Sequence, residues 1–151
     1  MTEQVMAMNR SETPEQLTVR LRDAITRLNR RLRQERPVGD LTMTQLSALT
    51  SLHLGGALTP RELSEVERVQ PPTMTKIVAK LEDRGLVGRT PHPTDGRQVL
   101  LAPTAEGQEV VESYQKARDE WLSSKLADLA PDERDTVARA ASILERLARA
   151  S

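Results

Sequence analysis

The stretch 71–84, PPTMTKIVAKLEDR, carries polar side chains whose types and spacing favour contact with nucleic acid. Its apolar residues recur at three- and four-residue spacing from Met74 to Leu81, which predicts a helix with one face in the core. The opposite face would then offer hydroxyl, methyl and ammonium groups to the base edges and phosphates of a DNA major groove. The residues predicted to address the groove are Pro72, Thr73, Thr75, Lys76 and Lys80, with Arg84 and Arg89 touching the flanking DNA backbone.

A second cluster lies at 92–98, HPTDGRQ, between the β-prone pieces LVGRT and RQVLLAP. The turn formers in the connection PHPTDG predict a β-hairpin. A hairpin tip beside a recognition helix lies near the adjacent minor groove, which attracts arginine. We therefore predict that Arg97 enters the minor groove, and that the Asp95 carboxylate orients its guanidinium by a charge-assisted hydrogen bond. The alternative is an exposed ion pair worth about 0–1 kcal/mol.

Two helices are predicted upstream of the 71–84 segment, and they would hold it in place. In LTMTQL, Thr42 can cap a helix and Gln45 can close a capping box. In LTPREL, Thr59 and Glu62 repeat the pattern. The double proline that follows limits this second helix to about eight residues, and the next helix can begin at either proline. Two helices joined by so short a connection predict a helix-turn-helix, and the hairpin after it makes the motif winged.

Longer amphipathic helices are predicted at both ends of the chain. One begins at Pro14, carries an apolar stripe from Leu17 to Leu32 and ends at RPVGD. Thr104 caps another, and APDE separates that helix from the last one. Such helices either cover the core of one chain or pair with a second copy, and their length favours a dimer.

The predicted fold class is therefore mainly α (α+β), a winged helix-turn-helix with terminal helices that form a dimerisation domain. Its expected divisions are a flexible tail (1–13), a helical dimerisation region (14–40 and 104–151) and a winged helix-turn-helix DNA-binding domain (41–103).

Composition excludes several classes of function. Of 151 residues none is cysteine, which removes disulfides, thiolate metal sites and thiol redox sensing. The two histidines, His53 and His92, belong to no catalytic or metal-binding motif, and no phosphate-binding loop is present. We therefore expect neither an enzyme nor a bound cofactor or metal. No apolar run is long enough for a membrane span and no secretory signal is visible, so we expect a cytoplasmic protein, associated with the nucleoid when bound to DNA.

The motifs between residues 58 and 110 resemble the MarR family of bacterial transcriptional regulators. The matching pieces are LTPRELS, TMTK, LEDRGLVGR, DGR in the wing and PTAEG before the next helix. The chain departs from the family at Ala102, Pro103 and Thr104, where a β-branched residue and a leucine are common. A second basic residue often stands between the wing aspartate and arginine of the family, and here that position is Gly96.

The resemblance implies a homodimer with intertwined terminal helices and two winged domains on a pseudo-palindromic operator of double-stranded DNA. Half-sites would then be separated by about one helical turn, roughly 10 bp. It also implies a repressor that a small aromatic or acidic effector releases. Effector-binding candidates on the first, second and fifth helices are Arg30, Leu49, His53 and Tyr114. Two alternatives stay open: a regulator without a small-molecule ligand, and a winged-helix module that binds protein.

Overall fold

The computed structural model describes residues 12–35 and 41–150. The elements follow in the order α1 (Pro14–Gln34), α2 (Met43–Gly55), α3 (Pro60–Glu67), α4 (Pro71–Asp83), β1 (Val87–Pro91), β2 (Val99–Pro103), α5 (Ala105–Ala127) and α6 (Pro131–Arg149). The mainly helical winged helix-turn-helix expected from the sequence is confirmed. Most of the predicted tail and the whole RPVGD break at 36–40 lie outside the described residues.

The starts of α2 and α3 are set by capping boxes, as predicted. The Thr42 hydroxyl accepts from the backbone N–H of Gln45, whose side chain accepts in return from the Thr42 N–H. Thr59 and Glu62 make the same reciprocal pair at α3. Satisfying two of the unpaired N–H groups at each helix start fixes where the chain turns into the helix. For α4 no side chain caps the helix, and it begins at the first proline, Pro71.

The core of the winged domain lies where α2, α3, α4 and the hairpin meet. The apolar face of α4 supplies Met74, Ile77, Val78 and Leu81, all buried as the spacing predicted. They pack in one cluster with residues of the neighbouring elements: Ala48, Leu49, Leu52, Leu63, Leu86, Val87, Leu101 and Val111. Burial of this face fixes the rotation of α4 about its axis, so its polar face must point outward.

The sheet is an antiparallel pair in which Val87 lies opposite Pro103 and Pro91 opposite Val99. A third backbone segment joins it at one residue, because Leu58 and Leu101 exchange N–H···O bonds of 3.1 and 2.7 Å. The sequence did not indicate this bridge, since a single paired residue leaves no periodic pattern. It ties the loop before α3 to the wing.

The described contacts divide the chain into two units, residues 41–119 and residues 12–35 with 120–150. The predicted boundary at residue 104 therefore falls within the first unit, which keeps the first half of α5. Gly107, Val111 and Tyr114 of that half are buried. A Cβ on Gly107 would lie 2.1 Å from the Leu86 carbonyl oxygen, so only glycine allows this close approach.

The other unit contains α1 and α6, neither of which buries a residue within the described chain. Arg31 of this unit lies over the Trp121 ring, 4.8 Å from its centroid, and also pairs with Glu35 at 2.5 Å. None of the helices within residues 12–35 and 41–150 combines the length and apolar character needed to cross a bilayer.

Candidate nucleic-acid interface

The polar face of α4 is exposed along its length. Pro72, Thr73, Thr75, Lys76 and Lys80, the predicted groove-facing residues, are all solvent-exposed. Within the described part of the chain, neither lysine forms a salt bridge. Their charges are therefore available to an anionic partner, and the helix presents them on the side opposite its buried face.

The hydroxyl of Thr75 has a defined hydrogen-bonding role. It donates to the Pro71 carbonyl oxygen one turn earlier, at 2.9 Å. Because its single proton is engaged, the oxygen can only accept from a further partner. Towards a base edge it therefore suits an amino group, and the adjacent methyl suits a thymine methyl.

Arg89 lies on β1 and holds the wing to α4. Its Nε and Nη2 donate to the two Glu82 carboxylate oxygens at 2.9 and 2.7 Å, a bidentate pair. The hydrogen bonds from Arg89 lower the pKa of the Glu82 carboxyl, and those to Glu82 raise the pKa of Arg89. Arg89 was predicted to touch the DNA backbone, and this contact stays a prediction. Arg84, predicted alongside it, is exposed at the end of α4.

The wing tip is longer than the sequence indicated, because Arg97 and Gln98 lie before β2 and not in it. The Gln98 N–H donates to the Asp95 carbonyl at 3.0 Å, which closes a β-turn over residues 95–98. The Asp95 carboxylate accepts from the Arg97 backbone N–H at 3.1 Å and from the Gln98 side-chain amide at 3.3 Å. The carboxylate thus orients the backbone of Arg97, where the sequence had predicted a bond to the guanidinium.

The guanidinium of Arg97 is exposed at the tip, and among the described residues it forms no ion pair. Gly96 beside it has no positive φ, and a Cβ there would meet no atom within 4 Å. The tip therefore carries one arginine without an ion pair, and the neighbouring position, Gly96, could hold a second basic side chain.

The residues predicted to bind an effector are spread over both units. Leu49 is fully buried in the core cluster, and His53 on the same helix is half-buried. Tyr114 is buried, with the Arg118 guanidinium 5.1 Å from its ring centroid. Arg30 is exposed on α1, in the other unit. No group of three or more metal-ligating side chains occurs in residues 12–35 and 41–150.

A hairpin directly after a helix-turn-helix, with a polar α4 face and an arginine at the hairpin tip, defines a winged helix-turn-helix DNA-binding protein. Residues 41–99 match the model of the MarR family.

Relatives and solved structures agree with this match. An HTH-type transcriptional regulator of Mycobacterium bovis, itself uncharacterised, is 47% identical over 121 residues, 80% of this chain and 85% of the relative. The HTH-type transcriptional repressor MdtR of Bacillus subtilis is 32% identical over 74% of this chain and 70% of its own. A solved structure from Pseudomonas aeruginosa, a candidate transcriptional regulator, superposes with a TM-score of 0.80 at 32% identity, covering 93% of this chain and 100% of that one.

The chain therefore belongs to the MarR family, and it is a DNA-binding transcriptional regulator and not an enzyme.

Proposed function

We propose that the chain acts as a homodimeric repressor that binds a pseudo-palindromic operator and is released by a small molecule. The observation that carries the proposal is the outward-facing polar surface of α4 together with the exposed Arg97 at the wing tip. The name of the relative MdtR, a transcriptional repressor, supports the direction of regulation. Acting on DNA, the protein would work in the cytoplasm, at the nucleoid.

The geometry of α4 and the wing supports a set of groove contacts. Lys76 and Thr75 on the exposed α4 face would address base edges in the major groove, with Pro72, Thr73 and Lys80 beside them. Arg97 would enter the adjacent minor groove. It lies in the wing tip, beyond the ends of both strands, and the Asp95 carboxylate holds its backbone N–H there.

Support for the dimer comes from the apolar side chains that α1 and α6 leave uncovered. Ile25 and Leu28 of α1 are 49% and 46% exposed, and Ile143 and Leu147 of α6 are 47% and 60% exposed. Full burial of an exposed side chain of this kind contributes about 1.5–3 kcal/mol, so covering each of these half-exposed side chains would contribute roughly half of that. A second copy of the chain would cover this face, and its twofold symmetry would match an operator with two half-sites.

Two charge additions on α1 test the dimer. Leu28→Glu places a carboxylate on the apolar stripe, whereas Gln34→Glu adds the same charge away from it. We expect light scattering to show a monomer for Leu28→Glu and a dimer for Gln34→Glu. A dimer in both variants would contradict the proposed interface.

Repression and its relief by a small molecule can be tested with a DNA duplex. The purified chain first selects this duplex from a randomised pool. Cloning this duplex across a promoter should lower reporter output when the chain is present. Aromatic carboxylic acids should then restore output and raise the melting temperature of the chain. Arg30, Leu49, His53 and Tyr114 stay the candidates for effector binding. Repression that no such acid relieves would leave a regulator without a small-molecule ligand.

A further inference from the structure

His92 stands at the first position of the wing tip, and its ring accepts hydrogen bonds from the residues that follow. Its Nδ1 accepts from the backbone N–H groups of Thr94 at 3.2 Å and Asp95 at 3.1 Å, and the Thr94 hydroxyl is 3.3 Å away. The His92 N–H donates to the Gln98 carbonyl at 3.2 Å, which closes the base of the tip. The ring therefore holds the first half of the tip as a side-chain-capped turn.

Two capped turns then follow one another. His92 caps residues 92–95, and Asp95, whose N–H the ring holds, caps 95–98 through the Arg97 N–H. Pro93 supports the first turn, because proline restricts its own φ and keeps the preceding residue extended. The position of Arg97 thus depends on Asp95, and that of Asp95 depends on His92.

The imidazole can do this only when Nδ1 carries no proton. A ring nitrogen has one lone pair, so a protonated Nδ1 becomes a donor facing two N–H donors. Histidine side chains ordinarily change charge between about pH 5 and 8, so a change of pH across this range tests whether the turn needs the neutral ring.

Among the described residues, no charged side chain is hydrogen-bonded to the ring. The Asp95 carboxylate is engaged by two donors of the second turn, and Arg97 is exposed. On β1, Arg89 is paired with Glu82 of α4, and β2 carries no charged residue. No carboxylate of the described residues is hydrogen-bonded to Nδ1, so none is in place to accept from it once it is protonated.

Resting on the proposed function, we propose that His92 is a positioning residue for Arg97, and that its protonation releases the wing tip and weakens DNA binding. The neutral ring keeps both turns closed, so Arg97 is held ready for the minor groove. The charged ring opens the first turn, and the arginine must then be ordered at the moment of binding.

The test measures binding to the selected duplex by fluorescence anisotropy at constant ionic strength, at the two ends of the range from about pH 5 to 8. We expect roughly tenfold weaker binding at the acid end, the change that about 1.4 kcal/mol produces. His92→Asn should bind as the wild type does at the alkaline end, whatever the pH. Asparagine Oδ1 is bonded to Cγ as Nδ1 is, so it can accept from the same N–H groups, yet it does not titrate.

Three further variants separate positioning from other roles. His92→Ala lacks the acceptor and should bind weakly at both ends. Arg97→Ala should lose the pH response, since nothing remains for the tip to position. Lys125→Ala changes an exposed residue of α5, outside the wing, and should keep the response. None of the changed side chains belongs to the core, so all variants should melt at the wild-type temperature.

Several outcomes would overturn the inference. Tighter binding at acid pH that His92→Asn abolishes would mean that the imidazolium contacts phosphate directly. A response that survives in His92→Asn, or wild-type binding independent of pH, would also exclude this role while leaving DNA binding intact. No DNA binding at any pH would overturn the proposed function and the inference together. In the free chain, a ¹⁵N spectrum showing the Nδ1–H tautomer of neutral His92 would contradict the hydrogen bonds.

Discussion

Gly96→Arg should strengthen DNA binding by adding one phosphate contact to each wing. The position tolerates a side chain, because Gly96 has no positive φ and a Cβ there meets no atom within 4 Å. Replacing a glycine of this kind stabilises a protein by about 0.4–1 kcal/mol through the unfolded state. The new guanidinium would stand beside Arg97 at the exposed tip, where DNA is expected.

The magnitude follows from counterion release. Each phosphate neutralised changes the slope of log K against log salt by about −0.9, so the two wings of the proposed dimer would add about −1.8. Doubling the salt concentration should then weaken DNA binding by Gly96→Arg about 3.5-fold more than it weakens binding by the wild type.

The assay is a salt titration of the selected duplex by fluorescence anisotropy, with Gly96→Ala as the matched control. Alanine makes the same change to the backbone without the charge, so its slope should equal that of the wild type. The reasoning is refuted if Gly96→Arg keeps the wild-type slope, or if both variants lower the melting temperature and thereby show that the tip needs glycine.

The remaining predictions concern stability, measured by urea unfolding. Arg68→Gly should stabilise the chain by about 0.5–1 kcal/mol, since Arg68 has a left-handed backbone with φ 52°; destabilisation would show that its side chain holds the turn between α3 and α4. Gly107→Ala should lower the free energy of unfolding by about 1–3 kcal/mol, because its Cβ would overlap the Leu86 carbonyl. An unchanged urea midpoint would contradict this close contact between the two residues. Glu82→Gln should cost up to about 1 kcal/mol at neutral pH. Because Arg89 lowers the pKa of Glu82 in the folded chain, this contribution is present above the ordinary carboxyl range and disappears as the pH falls through the folded value. If Glu82→Gln is still less stable than the wild type in acid, that result would contradict the pairing of Glu82 with Arg89.

The parts of the fold that could be predicted from the sequence are those set by local chemistry. The capping boxes at Thr42 and Thr59 depend on residues three positions apart, and the buried face of α4 depends on helical spacing. Both are properties of short segments, so no knowledge of the tertiary structure was needed.

What could not be predicted depends on residues that the fold brings together. The Glu82–Arg89 pair joins a helix to a strand, and the Leu58–Leu101 bridge joins residues far apart in the chain. At the wing tip, the sequence indicated a turn and an arginine. It did not show that Asp95 would bind a backbone N–H, because only the closed turn brings that donor within reach.

The most direct test of the central claim is the affinity of the chain for its selected duplex after removal of single cations. Lys76→Ala and Arg97→Ala should each weaken binding by about 1–3 kcal/mol, with Lys125→Ala, exposed on α5, as the matched control. The wild-type salt slope should be about −2.7 or steeper for each winged domain, from Lys76, Lys80 and Arg97. A slope near zero, with Lys76→Ala and Arg97→Ala binding as tightly as Lys125→Ala, would contradict the account and favour a winged-helix module that binds protein.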